Sequence, residues 1–374
     1  MEITHVTSSI ETLFRPFVTE KLSLPNRIVM APMTRSFSPN GIPGEKVAAY
    51  YRRRAEGGVG LIVTEGTTID HHASSQSTDH PAFHGEASLA GWSDVVKAVH
   101  AAGGKIAPQL WHVGMMRNQG RPKTDLLPAV GPSGIYVPGR VVGSPMAESE
   151  IADVIDAFAK GARAAQQIGF DAVEFHGAHG YLIDQFFWAG TNTREDTWGG
   201  DLRRRGNFAA EIIKAARVAV GPSFPLILRV SQWKQQDFTQ RLAHSPQEWE
   251  QFLSPLVEAG VDIFHCSTRR YHEPEFEGSN LNLAGWTKRL TGKPTITVGG
   301  VGLSSGSDFI ASLGGRVADV ANIDDLLDRL SQDEFDLVAI GRALVANPDW
   351  PAQLRKGTSG KLKSFEKDML SDLV

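Results

Sequence analysis

Short apolar runs punctuate this chain, and a stretch of helical period follows most of them. The runs are Arg27-Ile28-Val29-Met30, Gly60-Leu61-Ile62-Val63-Thr64, Lys105-Ile106-Ala107-Pro108-Gln109-Leu110 and Asp171-Ala172-Val173-Glu174-Phe175. Leu226-Ile227-Leu228-Arg229-Val230, Asp262-Ile263-Phe264-His265-Cys266, Pro294-Thr295-Ile296-Thr297-Val298 and Asp336-Leu337-Val338-Ala339-Ile340 complete the set. Near-continuous apolar runs of this length read as strands buried on both faces. Between them, Ile151, Val154, Ile155, Phe158, Ala162 and Ala165 fall on one face of a helix. Ser245-Pro246-Gln247-Glu248 is a capping box with proline at the first helical position. It predicts a helix through Val257, with Gly260 at its stop.

Strands that alternate with helices form a parallel sheet with helices outside. Eight repeats predict closure into an α/β fold, a (β/α)8 TIM barrel, because a closed sheet leaves no unpaired edge. An open doubly wound sheet is the runner-up. It calls for a glycine-rich turn after the first strand, where this chain has Ala31-Pro32-Met33-Thr34-Arg35. Residues 1–374 read as a single domain. An N-terminal cap, residues 1 to about 25, is expected to cover the barrel bottom. A long third βα loop, about 113–147, is rich in Gly and Pro and is expected to act as a lid or binding loop. The tail from about 358 to 374 is polar and expected to be peripheral.

Charge and cysteine count narrow the function classes. The formal net charge of −4 over 374 residues argues against a nucleic-acid footprint. Arg52-Arg53-Arg54 and Arg203-Arg204-Arg205 read as solvated helix faces. No apolar run reaches the roughly 18–20 residues of a membrane span, and no signal peptide is visible. A cytoplasmic location is expected. The single cysteine, Cys266, excludes an intrachain disulfide and an iron–sulfur cluster held by this chain's own cysteines. It reads as a buried small hydrophobe.

Barrel enzymes work at the C-terminal ends of their strands, so those ends carry the candidate chemistry. The fourth run is followed by His176-Gly177-Ala178-His179-Gly180-Tyr181. Two imidazoles and a phenol at a strand end suit holding a carbonyl oxygen and delivering a proton. No strand end carries the lysine of a Schiff-base aldolase. His176 and His179 could serve a metal-dependent barrel hydrolase, with Glu65 and His112 as conceivable partners, but the spacing matches no metal signature. After the last two strands come Gly299-Gly300 and Gly341-Arg342. Such turns let backbone N–H groups approach a phosphate, and Arg342 can grip its oxygens. Gln109 offers an amide to the edge of a pyrimidine-like ring. Arg229 offers a fixed positive charge. Together they suit a flat phosphorylated cofactor such as a flavin.

These residues match a known pattern. The chain resembles the Old Yellow Enzyme family of FMN-dependent NADH:flavin oxidoreductases, or ene-reductases, from about Leu13 to about Leu354. The marks are Asn26 through Arg35, Gln109-Leu110-Trp111-His112, His176 through Leu182, Thr191-Asn192-Thr193-Arg194, Trp198-Gly199-Gly200 and Gly341-Arg342. The resemblance implies that Ala31, Pro32, Met33 and Thr34 line the flavin, with Gly66 beside the ring. It implies that Gln109 meets the pyrimidine edge and Arg229 the N1–C2 edge, while Gly300, Gly341 and Arg342 hold the phosphate. His176 and His179 would bind the substrate carbonyl, Tyr181 would donate the proton, and Trp111 would wall the pocket. Thr34 stands where one branch of the family has cysteine. Gly114-Met115 replaces a usual Gly-Arg, and Asp201-Leu202-Arg203-Arg204-Arg205 lacks the usual Glu-Asn-Arg order.

The implied activity takes hydride from diffusible NADPH or NADH and reduces the C=C bond of an α,β-unsaturated carbonyl compound. The partners are then small molecules, with no nucleic acid and no membrane, and a possible homo-oligomer. With one cysteine, the chain looks like the single-domain form of the family. The competing readings are the metal-dependent hydrolase and a non-catalytic flavin-binding sensor.

Overall fold

A computed structural model describes residues 9–117, 128–304 and 315–374. Eight parallel strands close into a barrel in sequence order. They are β1 (Ile28–Met30), β2 (Leu61–Thr68), β3 (Lys105–Trp111), β4 (Val173–His179), β5 (Leu226–Lys234), β6 (Ile263–Ser267), β7 (Thr295–Val298) and β8 (Leu337–Ile340). The helices that follow them in turn are α1 (Glu45–Glu56), α2 (Glu86–Ala101), α3 (Glu148–Ile168), α4 (Asn207–Val220), α5 (Pro246–Ala259), α6 (Leu283–Thr291), α7 (Asp324–Ser331) and α8 (Arg342–Ala346). After Gly299-Gly300 the sequence also reads as a helix start at Ser304-Ser305, which lies partly outside the described residues.

Alternation along each strand builds two cores. Val29, Leu61, Val63, Ala107, Ile227, Ile263, Ile296 and Leu337 fill the barrel. Their neighbours Ile28, Ile62, Ile106, Leu228, Phe264 and Val338 pack in the core that includes the helices. A two-stranded hairpin, Phe17–Val18 with Ser23–Leu24, sends Phe17, Leu22 and Leu24 into the barrel cluster. The cap therefore plugs the end opposite the strand C-termini. The capping box holds too. Ser245 Oγ accepts from Glu248 N at 3.2 Å, and Glu248 Oε2 reaches back to His244 N at 2.7 Å. Gly260 ends α5 in the left-handed conformation, at φ +106°.

Several expectations need correction. β4 does not end before His176 but runs through His179, and β5 continues to Lys234, so one strand end does carry a lysine; its Nζ is paired with Asp184 and does not line the cavity at the strand ends. Cys266, by contrast, is the buried residue that the sequence reads, with its Sγ 3.4 Å from Thr287 Oγ1 on α6 and its thiol pushed up to about 12 by burial. Arg54 is no solvated residue. It is wholly buried, with its guanidinium 3.7 Å from the Tyr50 ring centre. The tail is not peripheral either. Arg35 donates to Asp372 O at 2.7 Å, Arg53 to Leu373 O and Arg54 to Val374 O. Phe365 and Leu373 are buried. Scattered apolar residues and three arginines on distant segments thus tie the tail down.

Candidate active site

A cavity of about 460 Å³ opens at the C-terminal ends of the strands. That volume lies within the roughly 300–1,000 Å³ usual for small-molecule sites. Ala31, Pro32, Met33, Thr34, Gly66, Gln109, Trp111, His176, His179, Tyr181, Arg229, Gly300, Gly341 and Arg342 all line it. Every residue that the flavin reading named is therefore brought to one place. Ser267, Trp233, Gln235, Phe238, Phe365 and Leu370 join them. The last two come from the tail. Among the described residues, none between 113 and 147 lines this cavity, so the third loop's expected part in shaping it is not seen. Residues 118–127 of that loop lie outside the described set.

The floor is polar because strand alternation points Gln109, Glu174, Arg229 and His265 inward above the apolar barrel layers. Gln109 Nε2 donates to Glu174 Oε1 at 2.7 Å, and His265 Nδ1 meets Glu174 Oε2 at 2.7 Å. Arg229 is buried, and desolvation lowers its pKa to about 10 against the pull of Glu174. Glu174 and His265 were not among the predicted site residues. A charged residue at an inward position of an otherwise apolar run is the signal that could have found them.

Along one wall, the His176 ring stands perpendicular to His179 at 5.1 Å and close to Tyr181 at 5.0 Å. Trp111 meets Tyr181 edge-on at 5.0 Å, and Trp233 stacks on His179 at 4.3 Å. His179 Nε2 bonds Ser267 Oγ at 2.7 Å, so a ligand oxygen that takes this nitrogen displaces Ser267. Burial, then Arg229, holds both imidazoles well below 6.5. They are neutral donors at neutral pH. Burial raises the Tyr181 phenol, partly offset by a bond from Gln235, so the phenol keeps its proton.

The chemistry of the cavity fits a flavin phosphate. His176 Nδ1, Arg229 Nε and Trp111 Nε1 are buried without a protein partner. Two glycines let the lining side chains pack close to the backbone. A Cβ on Gly66 would lie 2.8 Å from the Trp111 ring, and one on Gly341 would lie 3.4 Å from Met33 Sδ. Gly299 and Gly300 have φ of +148° and +68°, which glycine adopts without strain.

The metal reading finds no support at this wall. Among the described residues, the group of His, Cys, Asp or Glu able to share an ion is His71, His72 and Glu150, without His176 or His179. His112 sits there too, its Nε2 2.9 Å from His71 Nδ1. Ala73 N and Gly114 N donate to His71 Nδ1 and His112 Nδ1. Those bonds leave the His71 proton on Nε2, the atom a metal would need. Glu65 lies elsewhere again, with its Oε2 accepting from Arg35 N and Ser36 N.

A family model described as the NADH:flavin oxidoreductase / NADH oxidase family matches residues 12–360. This chain belongs to that family. Its sequence is 33% identical to an NADH oxidase of Thermoanaerobacter brockii over 91% of this chain and 50% of that one. The chain thus spans about half the length of that relative. Morphinone reductase in complex with tetrahydroNAD shares the fold with a TM-score of 0.78 at 28% identity, over 96% of this chain and 93% of that one. The old yellow enzyme homologue of Zymomonas mobilis gives 0.78 at 25% identity, over 96% of both chains. The family match and these two structures make the chain an Old Yellow Enzyme relative with their barrel fold. Among its described residues, no helix is long and apolar enough to cross a membrane.

Proposed function

We propose that this protein takes hydride from NAD(P)H and reduces the C=C bond of α,β-unsaturated carbonyl compounds. The observation that carries the reading is the convergence of His176, His179 and Tyr181 on the cavity that Gln109 and Arg229 floor. FMN, when bound, supplies hydride transfer from nicotinamide to the substrate's β-carbon. The protein's own residues do the rest. Gln109 and Arg229 would hold the pyrimidine edge of the ring, and Gly300, Gly341 and Arg342 its phosphate. Ala31 through Thr34 and Gly66 would line the ring. His176 and His179 donate to the substrate carbonyl oxygen and stabilise the negative charge that develops there. Because both imidazoles are neutral, they bind the oxygen without consuming a proton. Tyr181 then gives its phenolic proton to the α-carbon. Trp111, packed edge-on against Tyr181, limits what fits beside it. Morphinone reductase, which shares the fold, by its name reduces morphinone.

The test is spectroscopic. The pure protein is expected to be yellow, to bleach with NADPH or NADH, and to recover its colour when an enone is added. A protein that bleaches but is not reoxidised by any enone would be a flavin-binding sensor instead. Tyr181→Phe is expected to keep reduction by nicotinamide and to slow enone reoxidation by about 10²-fold or more. Reoxidation at the parent rate refutes the proton-donor role.

A further inference from the structure

Glu174 does more in this site than fill space. It lies opposite Gln109 in the register of β3 and β4 and is wholly buried. A carboxylate so far from water is costly, and an apolar side chain would serve packing alone better. Its neighbours show what it does instead. A carboxylate only accepts hydrogen bonds, so Gln109 must turn its NH2 group toward Glu174 Oε1. The Gln109 carbonyl oxygen and one remaining N–H are thereby left for whatever lies in the cavity. His265 in turn must carry its proton on Nδ1, where it meets Glu174 Oε2 at 2.7 Å. Arg229, one strand along from β4, feels Glu174 as its opposing charge.

We infer that Glu174 is a positioning residue for the ring bound here. It fixes the edge that Gln109 presents, and it balances Arg229 so that the floor is not an isolated cation. This rests on the flavin reading above. The consequence is electrical: a negative charge beneath the ring opposes any anionic form of it.

Glu174→Gln isolates that charge. Gln at this position can accept from Gln109 and donate to His265 Nδ1 once the His265 proton moves to Nε2, an atom now without a partner. Sulfite is the probe. Its sulfur lone pair forms a bond to N5 of oxidised FMN, and the ring takes up the negative charge at its N1–C2 edge, which bleaches the yellow band. Removing the Glu174 charge is expected to tighten sulfite binding about tenfold, with FMN retained. A role confined to packing would leave sulfite affinity unchanged or weaken it, and either result in a folded, FMN-loaded variant overturns the inference. Glu174→Asp gives an independent reading, since it keeps the charge but shortens the reach to Gln109. FMN affinity is expected to fall about tenfold, with sulfite affinity of the loaded protein near the parent's. Unchanged FMN affinity overturns the bracing of Gln109. A parent protein that binds no FMN would sink the flavin reading itself.

Discussion

The wall that carries His179 and Tyr181 hangs on one ion pair. Lys234 Nζ lies 2.5 Å from Asp184 Oδ1, with both side chains at 0% exposure. Lys234 ends β5 beside His179 in the register. Asp184 belongs to the short helix Leu182–Phe187, and its Oδ2 accepts from Gly180 N at 2.6 Å. The turn between them is strained, because His179 has φ of +65°, a value that L side chains rarely adopt. Lys234→Met keeps the aliphatic stem and removes the charge. Losing one partner of a buried pair costs about 3–5 kcal/mol, because the other charge stays behind. Burial already raises the Asp184 carboxyl while Lys234 pulls it down, so the variant's carboxyl rises further. A raised folded pKa gives stability that is present at low pH and lost as pH climbs. The loss should therefore be larger near about pH 8 than near about pH 5.5, changing by up to about 1.4 kcal/mol per unit. Urea unfolding followed by tryptophan fluorescence at both pH values reads this directly. Lys234→Met/Asp184→Asn is expected to recover part of the loss at the higher pH. A parent-like midpoint at both pH values, or a loss that grows in acid, refutes the argument.

Two further outcomes follow from single side chains. Burial raises the Glu65 carboxyl from 4.5 to about 7, so its contribution to stability is present below 4.5 and lost as pH rises through about 7, a change of about 3 kcal/mol. Glu65→Gln keeps an acceptor for Arg35 N and Ser36 N and should flatten the stability profile across that window, read by denaturant midpoints at several pH values. Gly66→Ala would set a Cβ 2.8 Å from the Trp111 ring; the expected cost is about 1–3 kcal/mol together with weaker FMN binding, and thermal melting with and without FMN checks both.

The barrel was legible because parallel strands buried on both faces leave near-continuous apolar runs, and eight of them were plain. Their ends were harder to place. The strands β4 and β5 continue to His179 and Lys234, but His176, His179, Ser231, Gln232 and Lys234 are polar and β4 breaks register after Gly177, so these ends read as loop. A polar cavity takes the place of a core, and the apolar signal stops before the strand does. Arg54 was misread although helical period was informative: Val47, Tyr50, Tyr51, Arg54 and Ala55 share the buried side of α1. A run of three arginines drew attention to charge and away from phase. The tail was illegible for a different reason. Phe365, Leu370 and Leu373 show no period, and the arginines that hold their segment lie near the other end of the chain.

Stability and chemistry are thus assigned to different layers of one pattern. Low in the barrel, inward positions such as Val29, Leu61 and Ile227 are apolar and pack against the cap hairpin. One turn of alternation higher, the inward positions become Gln109, Glu174, Arg229 and His265; Gln109 and His265 bond Glu174 before any ligand arrives, while Arg229 keeps a buried Nε without a protein partner. A ring can then be gripped by groups whose orientation is already fixed, which spares the entropy of ordering them at binding. The wall residues differ from the floor in this respect. His179 already holds Ser267 through Nε2, so a carbonyl that takes that nitrogen replaces one hydrogen bond with another. Binding at the wall should accordingly be weaker and more exchangeable than binding at the floor. A site that keeps its cofactor while admitting nicotinamide and substrate in turn requires that order.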